Sequence, residues 1–285
     1  MKLSCSRITP ALGAIATLPR DRGGVSDELA DAIHAALIEH QVLVFPDADL
    51  DARGMVQLGR ALGTLGVRHH SYTTHPDSED VVVLTWEGDQ KPDAAEWHSD
   101  MTYRRQPPFA SILKAVEVPP VGGDTLWASM FAVHDALDPG MLRDLEQLEA
   151  VHDMGAFRTG AYREGGDEGI SAAFTQAGTA VHPVIDHHPV TGRPYLNVSE
   201  SFTRFVIGLS APESARLLIL LFDLINRPDF HARVRWQPGM IVIWDNRGTQ
   251  HYAVADYLPH RRVMHRVAVA TDRRDAGRAA LAGSI

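Results

Sequence analysis

Trp244-Asp245-Asn246-Arg247-Gly248-Thr249-Gln250-His251-Tyr252 follows the apolar run Met240-Ile241-Val242-Ile243. The run through Trp244 reads as a buried strand, and the polar residues after it as its exit. Working outward, Val263–Ala270 reads as a last strand, and Val42-Leu43-Val44-Phe45, closed by Pro46, and Val81–Leu84 as earlier ones. Helices fall between them. Ser26–His40 has a capping serine, acidic Asp27 and Glu28 at the positive dipole end, and Leu29, Ile33, Ala36, Leu37 and His40 on one face. Ala52–Leu62 reads as a second helix. Asp138-Pro139 starts a third, through Leu148, and Ser210-Ala211-Pro212-Glu213 is a capping box opening an apolar fourth to about Asn226. Glu87–Ala95 is polar and turn-rich, a loop. Gly155–Gly178, rich in Gly, Arg and Glu, reads as a surface excursion or lid. Strands spread along the whole chain with no Pro/Gly/Ser linker predict one domain over residues 1–285.

Bulk composition excludes several classes. The 285 residues are 45% hydrophobic and 22% charged, ordinary globular values that exclude disorder, collagen and coiled coil as the main state. With 27 Lys+Arg against 36 Asp+Glu, the net charge of -9 argues against nucleic acid as a partner. No apolar run approaches the ~20 residues of a membrane span, and the N-terminus lacks the apolar stretch of a signal peptide. The lone Cys5 forms no intrachain disulfide, so the expectation is a cytoplasmic protein that does not engage membranes and admits a homo-oligomer. Fifteen histidines beside one cysteine tilt any metal chemistry toward nitrogen and oxygen ligands.

Trp97-His98-Ser99-Asp100 is the first chemical feature. In an extended strand, residues two apart share a face, so His98 and Asp100 would present an imidazole and a carboxylate together. His251, beyond its apolar strand, is the best third ligand. Two histidines and one carboxylate on one face, with the opposite positions open, suit a non-haem Fe(II). A His-x-Asp pair alone is common by chance, and its weight comes from what lies downstream. Arg262, Met264 and Arg266 alternate along Arg262-Val263-Met264-His265-Arg266. A strand there turns both arginines to one side, with Val263 and His265 on the other. On an exposed face that is a solvated basic stripe; on an inner face each guanidinium needs an anion.

His98-x-Asp100, Gly122-Gly123-Asp124-Thr125-Leu126-Trp127, and Trp244-Asp245-Asn246-Arg247 with His251, Arg262 and Arg266 resemble, in order and spacing, the taurine dioxygenase family. The resemblance runs from about Ile8 to Arg273. It implies a mainly β fold, a double-stranded β-helix (jelly roll) with flanking α-helices, and an Fe(II)- and 2-oxoglutarate-dependent dioxygenase using O2. By the same resemblance, His98, Asp100 and His251 would be the catalytic iron ligands. Thr125 and Arg262 would hold the distal carboxylate of 2-oxoglutarate. Arg266 would grip the anionic end of a small substrate, and the Met101 N–H would reach the same group. His69, Tyr72, Phe202 and Phe157 match further substrate positions. Ala94 stands where the family has a substrate-contacting Asn.

The reaction so implied is hydroxylation of a small sulfonate such as taurine at the carbon bearing sulfur. Sulfite and an aldehyde leave, with succinate and CO2. Two rivals share the fold, acting on an alkyl sulfate or an aryloxyalkanoate. A third, of another class, is a non-catalytic jelly-roll protein that binds a metal or a small acid. His187-His188 before Pro189 reads as a surface turn, and His152, His182, His231, His260 and His265 carry no assigned role.

Overall fold

A computed structural model describes residues 1–19, 24–66, 72–90, 92, 95–154 and 178–274. Its elements, in chain order, are β1 (Cys5–Arg7), β2 (Ala14–Ala16), α1 (Asp27–His40), β3 (Val42–Phe45), α2 (Ala52–Leu62), β4 (Gly63–Leu65), β5 (Thr73–His75) and β6 (Ser78–Trp86). There follow β7 (Ala110–Glu117), β8 (Thr125–Ser129), α3 (Met130–Asp135), α4 (Pro139–Leu145), β9 (Glu149–His152), β10 (Ala180–Pro183), β11 (Ile185–His187), β12 (Pro194–Leu196) and β13 (Thr203–Val206). The last are α5 (Ala211–Ile225), β14 (His231–Val234), β15 (Ile241–Asp245), β16 (Thr249–Ala253) and β17 (Arg262–Asp272).

The large sheet runs β1-β2-β3-β15-β7-β17-β6-β5, with β4 on β17, and the facing sheet runs β14-β8-β16. Together they form the jelly-roll core. Period-2 alternation explains why the central strands are apolar throughout. Leu43, Phe45, Ile241, Ile243, Ile112, Val267 and Val269 pack outward onto α1 and α2, among Ile33, Leu37, Met55 and Leu58. Val42, Val44, Val242, Trp244, Leu113 and Met264 point inward, against Trp127, Val234 and Trp236. The outer face of the small sheet is covered in turn by α3 and α5, with Leu218, Leu221 and Ile225 against Ala128 and Phe131.

The expected helix starts are observed. The Ser26 hydroxyl accepts from Leu29 N at 3.3 Å. Ser210 N donates to Glu213 Oε2 at 2.9 Å, half of the capping box. The helix opened by Asp138 ends at Leu145, before the expected Leu148. Its exit tightens into a turn, with Gln147 N on Asp144 O and Leu148 N on Leu145 O, so that Glu149 can enter β9. The expected excursion 155–178 lies, from 155 to 177, outside the described residues. A third sheet, β10-β9-β13, brackets it in sequence. Among the described residues no helix is long and apolar enough to cross a membrane.

Candidate metal and 2-oxoglutarate site

The site is built from inward side chains of both sheets. His98 does not lie in a strand. It forms an isolated antiparallel bridge with His251 on β16, His98 N donating to His251 O (3.2 Å) and His251 N to His98 O (2.8 Å). The bridge sets the two imidazoles side by side, ring centroids 4.1 Å apart. His98 Nδ1 lies 2.8 Å from the Glu96 carbonyl; that oxygen only accepts, so Nδ1 carries the proton and Nε2 faces the site.

Asp100 sits in the turn after the bridge, so strand parity with His98 is not what aims it. Asn246 does that. Asp100 N donates to Asn246 Oδ1 (2.8 Å), and Asn246 Nδ2 donates to Asp100 O (3.1 Å) and Pro108 O (3.2 Å). The Ser111 hydroxyl, inward on β7, donates to Asp100 Oδ2 at 2.7 Å. Oδ1 is left toward His251 Nε2 (3.9 Å) and Arg266 Nη1 (3.2 Å). One ligand-capable atom from each of His98, Asp100 and His251 falls within 4.8 Å of the others, and all three residues are buried.

Electrostatics suit a cation there. Burial pushes both imidazoles down, and His251, also beside His98, lies well below its ordinary value. Burial alone would raise the Asp100 carboxyl; Arg266, His251, His98 and the Ser111 hydrogen bond outweigh it and hold it well below the carboxylate range. Two neutral imidazoles and one ionised carboxylate are the protonation state a divalent metal requires.

A second buried polar cluster lies on the inner face of β17. Arg262 is 3% exposed. Its Nη2 donates to Thr125 Oγ1 on β8 at 3.3 Å, and Trp236 Nε1 donates to the same oxygen at 2.9 Å. With two donors on its oxygen, the Thr125 hydroxyl keeps its hydrogen for a third group. The guanidinium lies 6.0 Å from the ring centroids of Trp236 and Tyr257. Arg262 Nε and the Tyr257 hydroxyl are buried without a partner among the described residues, and no described carboxylate pairs with Arg262. Burial lowers its pKa to about 10, opposed by Tyr257 and Asp124. An unpaired buried guanidinium is costly, and a carboxylate ligand relieves it.

The other sequence-derived positions are placed as follows. Arg266 is inward beside Asp100. Met101, with φ 54°, packs with Tyr103 and Phe202 in a small apolar cluster. Phe202 stands edge-on to His98 at 6.0 Å. Tyr72 is half-buried and packs against the inner core. His69, Phe157 and Ala94 lie outside the described residues. Asn246, Ser111, Trp236 and Tyr257 were not picked out by spacing. Of these only Asn246 carried a signal, as the residue between Asp245 and Arg247.

His188 is a correction. It is 3% exposed rather than a surface residue. Its Nε2 meets Asp245 Oδ2 at 3.0 Å. Arg247 Nη2 bridges Asp245 Oδ2 (2.9 Å) and Asp272 Oδ2 (3.0 Å), and His34 Nε2 closes on Asp272 at 2.8 Å. This closed network fixes the chain on both sides of Asn246.

A jelly roll carrying a His-Asp-His centre and a buried arginine pocket defines a 2-oxoglutarate-dependent dioxygenase, a class that uses Fe(II) and O2 on a small-molecule substrate. The family described as "Taurine catabolism dioxygenase TauD, TfdA family" matches residues 6–268, and the chain belongs to it. An alkylsulfatase of Acinetobacter baylyi is 31% identical over 280 residues, 94% of this chain and 85% of that protein. An alpha-ketoglutarate-dependent sulfonate dioxygenase of Saccharomyces cerevisiae is 30% identical over 273 residues; the match takes in 90% of this chain and 64% of the yeast protein. The crystal structure of a taurine dioxygenase from Burkholderia xenovorans superposes with a TM-score of 0.77 at 27% identity, over 95% of this chain and 92% of that one.

Proposed function

We propose that this dioxygenase hydroxylates a small alkanesulfonate, taurine among them, at the carbon bearing sulfur. The 1-hydroxysulfonate collapses to sulfite and an aldehyde; 2-oxoglutarate leaves as succinate and CO2. The observation that carries this reading is two inward arginines at a His-Asp-His centre, Arg262 buried without a described carboxylate and Arg266 beside Asp100.

His98, Asp100 and His251 would hold Fe(II), through His98 Nε2, left free by the Nδ1–Glu96 hydrogen bond, and the Asp100 oxygen not taken by Ser111. The chemistry that bound iron supplies is oxidative decarboxylation of 2-oxoglutarate by O2, coupled to oxygen insertion into a C–H bond. Arg262 holds the distal carboxylate of 2-oxoglutarate by charge, and the Thr125 hydroxyl, its oxygen already occupied by Trp236 and Arg262, donates its hydrogen to it. Arg266 and the Met101 N–H hold the sulfonate. Phe202 and Tyr72 shape the walls, the Met101–Tyr103–Phe202 cluster keeps water from the reacting carbon, and His69 and Phe157 are assigned as further substrate-binding residues in the same reading. The reading takes residues 1–285 as one domain, working in the cytoplasm.

An alkyl sulfate is the second reading, favoured by the alkylsulfatase relative. The same residues would hold its sulfate, and sulfate rather than sulfite would leave. The experiment is a substrate panel of taurine, longer alkanesulfonates, alkyl sulfates and phenoxyacetates with Fe(II), 2-oxoglutarate and O2. Sulfite formed in step with succinate supports the sulfonate reading. Sulfate release replaces it with the second. No substrate-stimulated 2-oxoglutarate consumption overturns both.

A further inference from the structure

The turn that follows Asp100 is held in an uncommon conformation. Met101 has φ 54°, and Arg104 N closes the turn on Met101 O at 2.9 Å. A non-glycine residue stays in the left-handed region only where its surroundings over-determine it. Here the surroundings are two histidines on neighbouring strands of the third sheet, His152 on β9 and His182 on β10.

His182 Nε2 lies 2.7 Å from Thr102 O and 3.2 Å from Arg104 O. Both oxygens only accept, so Nε2 carries the proton and donates to two carbonyls of the one turn. His152 Nδ1 and Thr102 Oγ1 are 2.9 Å apart, and His152 Nε2 and Thr203 Oγ1 3.3 Å. The two rings meet edge to face, centroids 5.1 Å apart. Thr102, His152 and His182 are all buried. Buried imidazoles need partners: His182 Nε2 finds them in the backbone of the turn, and His152 ties the Thr102 hydroxyl of the turn to Thr203 on β13.

We propose that His182 and His152 are positioning residues that, through Thr102, set the stance of the Met101–Arg104 turn and with it the fit of substrate beside the metal centre. The assignment rests on the proposed reading, in which Met101 and Tyr103 line the substrate side. The residue after β9 also ties down Phe202 of the same cluster, Asp153 N donating to Phe202 O at 2.9 Å. Asp100 has separate anchors in Asn246 and Ser111, and Arg262 lies on another strand. Loosening the turn therefore acts on substrate and spares metal and 2-oxoglutarate.

The test compares His182→Leu, His182→Gln and Thr102→Val with the parent, as full chains loaded with Mn(II) and 2-oxoglutarate. Amide hydrogen exchange is read on the peptide covering residues 98–106, with α1 as the internal reference. His182→Leu should speed exchange in that peptide by about tenfold, as expected for lost hydrogen bonds, while α1 is unchanged. Glutamine restores a donor and should bring exchange back toward the parent. With hexanesulfonate and hexyl sulfate as probes under Fe(II), His182→Leu should raise substrate KM by about tenfold and consume more 2-oxoglutarate per product formed. The KM for 2-oxoglutarate and the Mn(II) affinity should stay within about twofold, a pattern that general destabilisation does not produce. Unchanged exchange in a folded His182→Leu overturns the proposal, as does a parallel loss of Mn(II) affinity and 2-oxoglutarate KM. If the parent turns over neither probe, the KM comparison uses the member of the substrate panel that it does turn over; if no panel member stimulates 2-oxoglutarate consumption, the functional reading fails, while the exchange result still judges the positioning role. Should His182→Leu not fold, Thr102→Val carries the same comparison with one hydrogen bond removed.

Discussion

Asp245, at the end of β15, and Asp100, in the turn beyond His98, are 2% and 4% exposed. Both carboxyls lie well below the carboxylate range despite burial, which alone would raise them. Their surroundings differ. Around Asp245, Oδ1 accepts from the Arg247 backbone and Nε, and Oδ2 from Arg247 Nη2 and His188. Asp100 has one oxygen taken by Ser111 and the other turned to Arg266 and His251. The arginines repeat the contrast. Arg247 lies between two carboxylates, while Arg262 has none among the described residues. Where every charge is answered inside the chain, the cluster is scaffold. Where a buried charge is left open, the protein has kept a place for a ligand.

The largest effects separate the two aspartates. Asp100→Ala should abolish 2-oxoglutarate turnover and Mn(II) binding while leaving the melting temperature close to the parent. Asp245→Ala strands Arg247 and His188 in the interior. A broken buried pair costs about 3–5 kcal/mol, so a melting temperature lowered by roughly 6–20 °C is expected. If Asp245→Ala melts like the parent, the closed network is not structural and the comparison fails.

Arg262→Ala comes next. A charge-assisted hydrogen bond is worth about 1.5–3 kcal/mol, so KM for 2-oxoglutarate should rise roughly tenfold or more, with little loss of stability. Steady-state kinetics beside calorimetry checks both halves. Arg247→Ala should show the reverse, lost stability with the 2-oxoglutarate KM unchanged in whatever folds.

The smallest effect concerns His152, whose pKa burial and the neighbouring His182 lower from 6.5 to about 3. Its folded state favours the neutral ring, so the unfolded chain binds the proton first. Its stability contribution is complete above pH 6.5 and declines as pH falls toward about 3. At pH 6 the loss is only about 1 kcal/mol. His152→Gln should flatten this part of the stability profile in denaturant titrations; an unaltered slope would remove His152 from the account.

Much of the architecture was legible because it is local. The serine and aspartate caps start α1, α2 and α4 where their side chains meet the first free amides, and at α5 the Glu213 carboxylate reaches back to the Ser210 amide. Along β17, Arg262, Met264 and Arg266 share the inner face as alternation requires, which turned a candidate basic stripe into two site arginines. His98 and Asp100 were brought together as expected, but by another route: the bridge to His251 and the Asn246 clamp replace the strand. His188 was misread because its neighbours spell a turn, and its partner Asp245 lies 57 residues away. Trp236, Tyr257 and Ser111 had no spacing to betray them, since each reaches the site alone from its own strand or loop.

The sequence by itself determined the chemical inventory: imidazoles, a carboxylate and two guanidinium groups that strand alternation turns to one side of β17. Only the tertiary structure decided which buried charges are neutralised by the chain and which are left open. The physical reason is one of range. Caps and alternation act between residues a few positions apart, whereas desolvation and ion pairing depend on what the opposite sheet brings within about 4 Å.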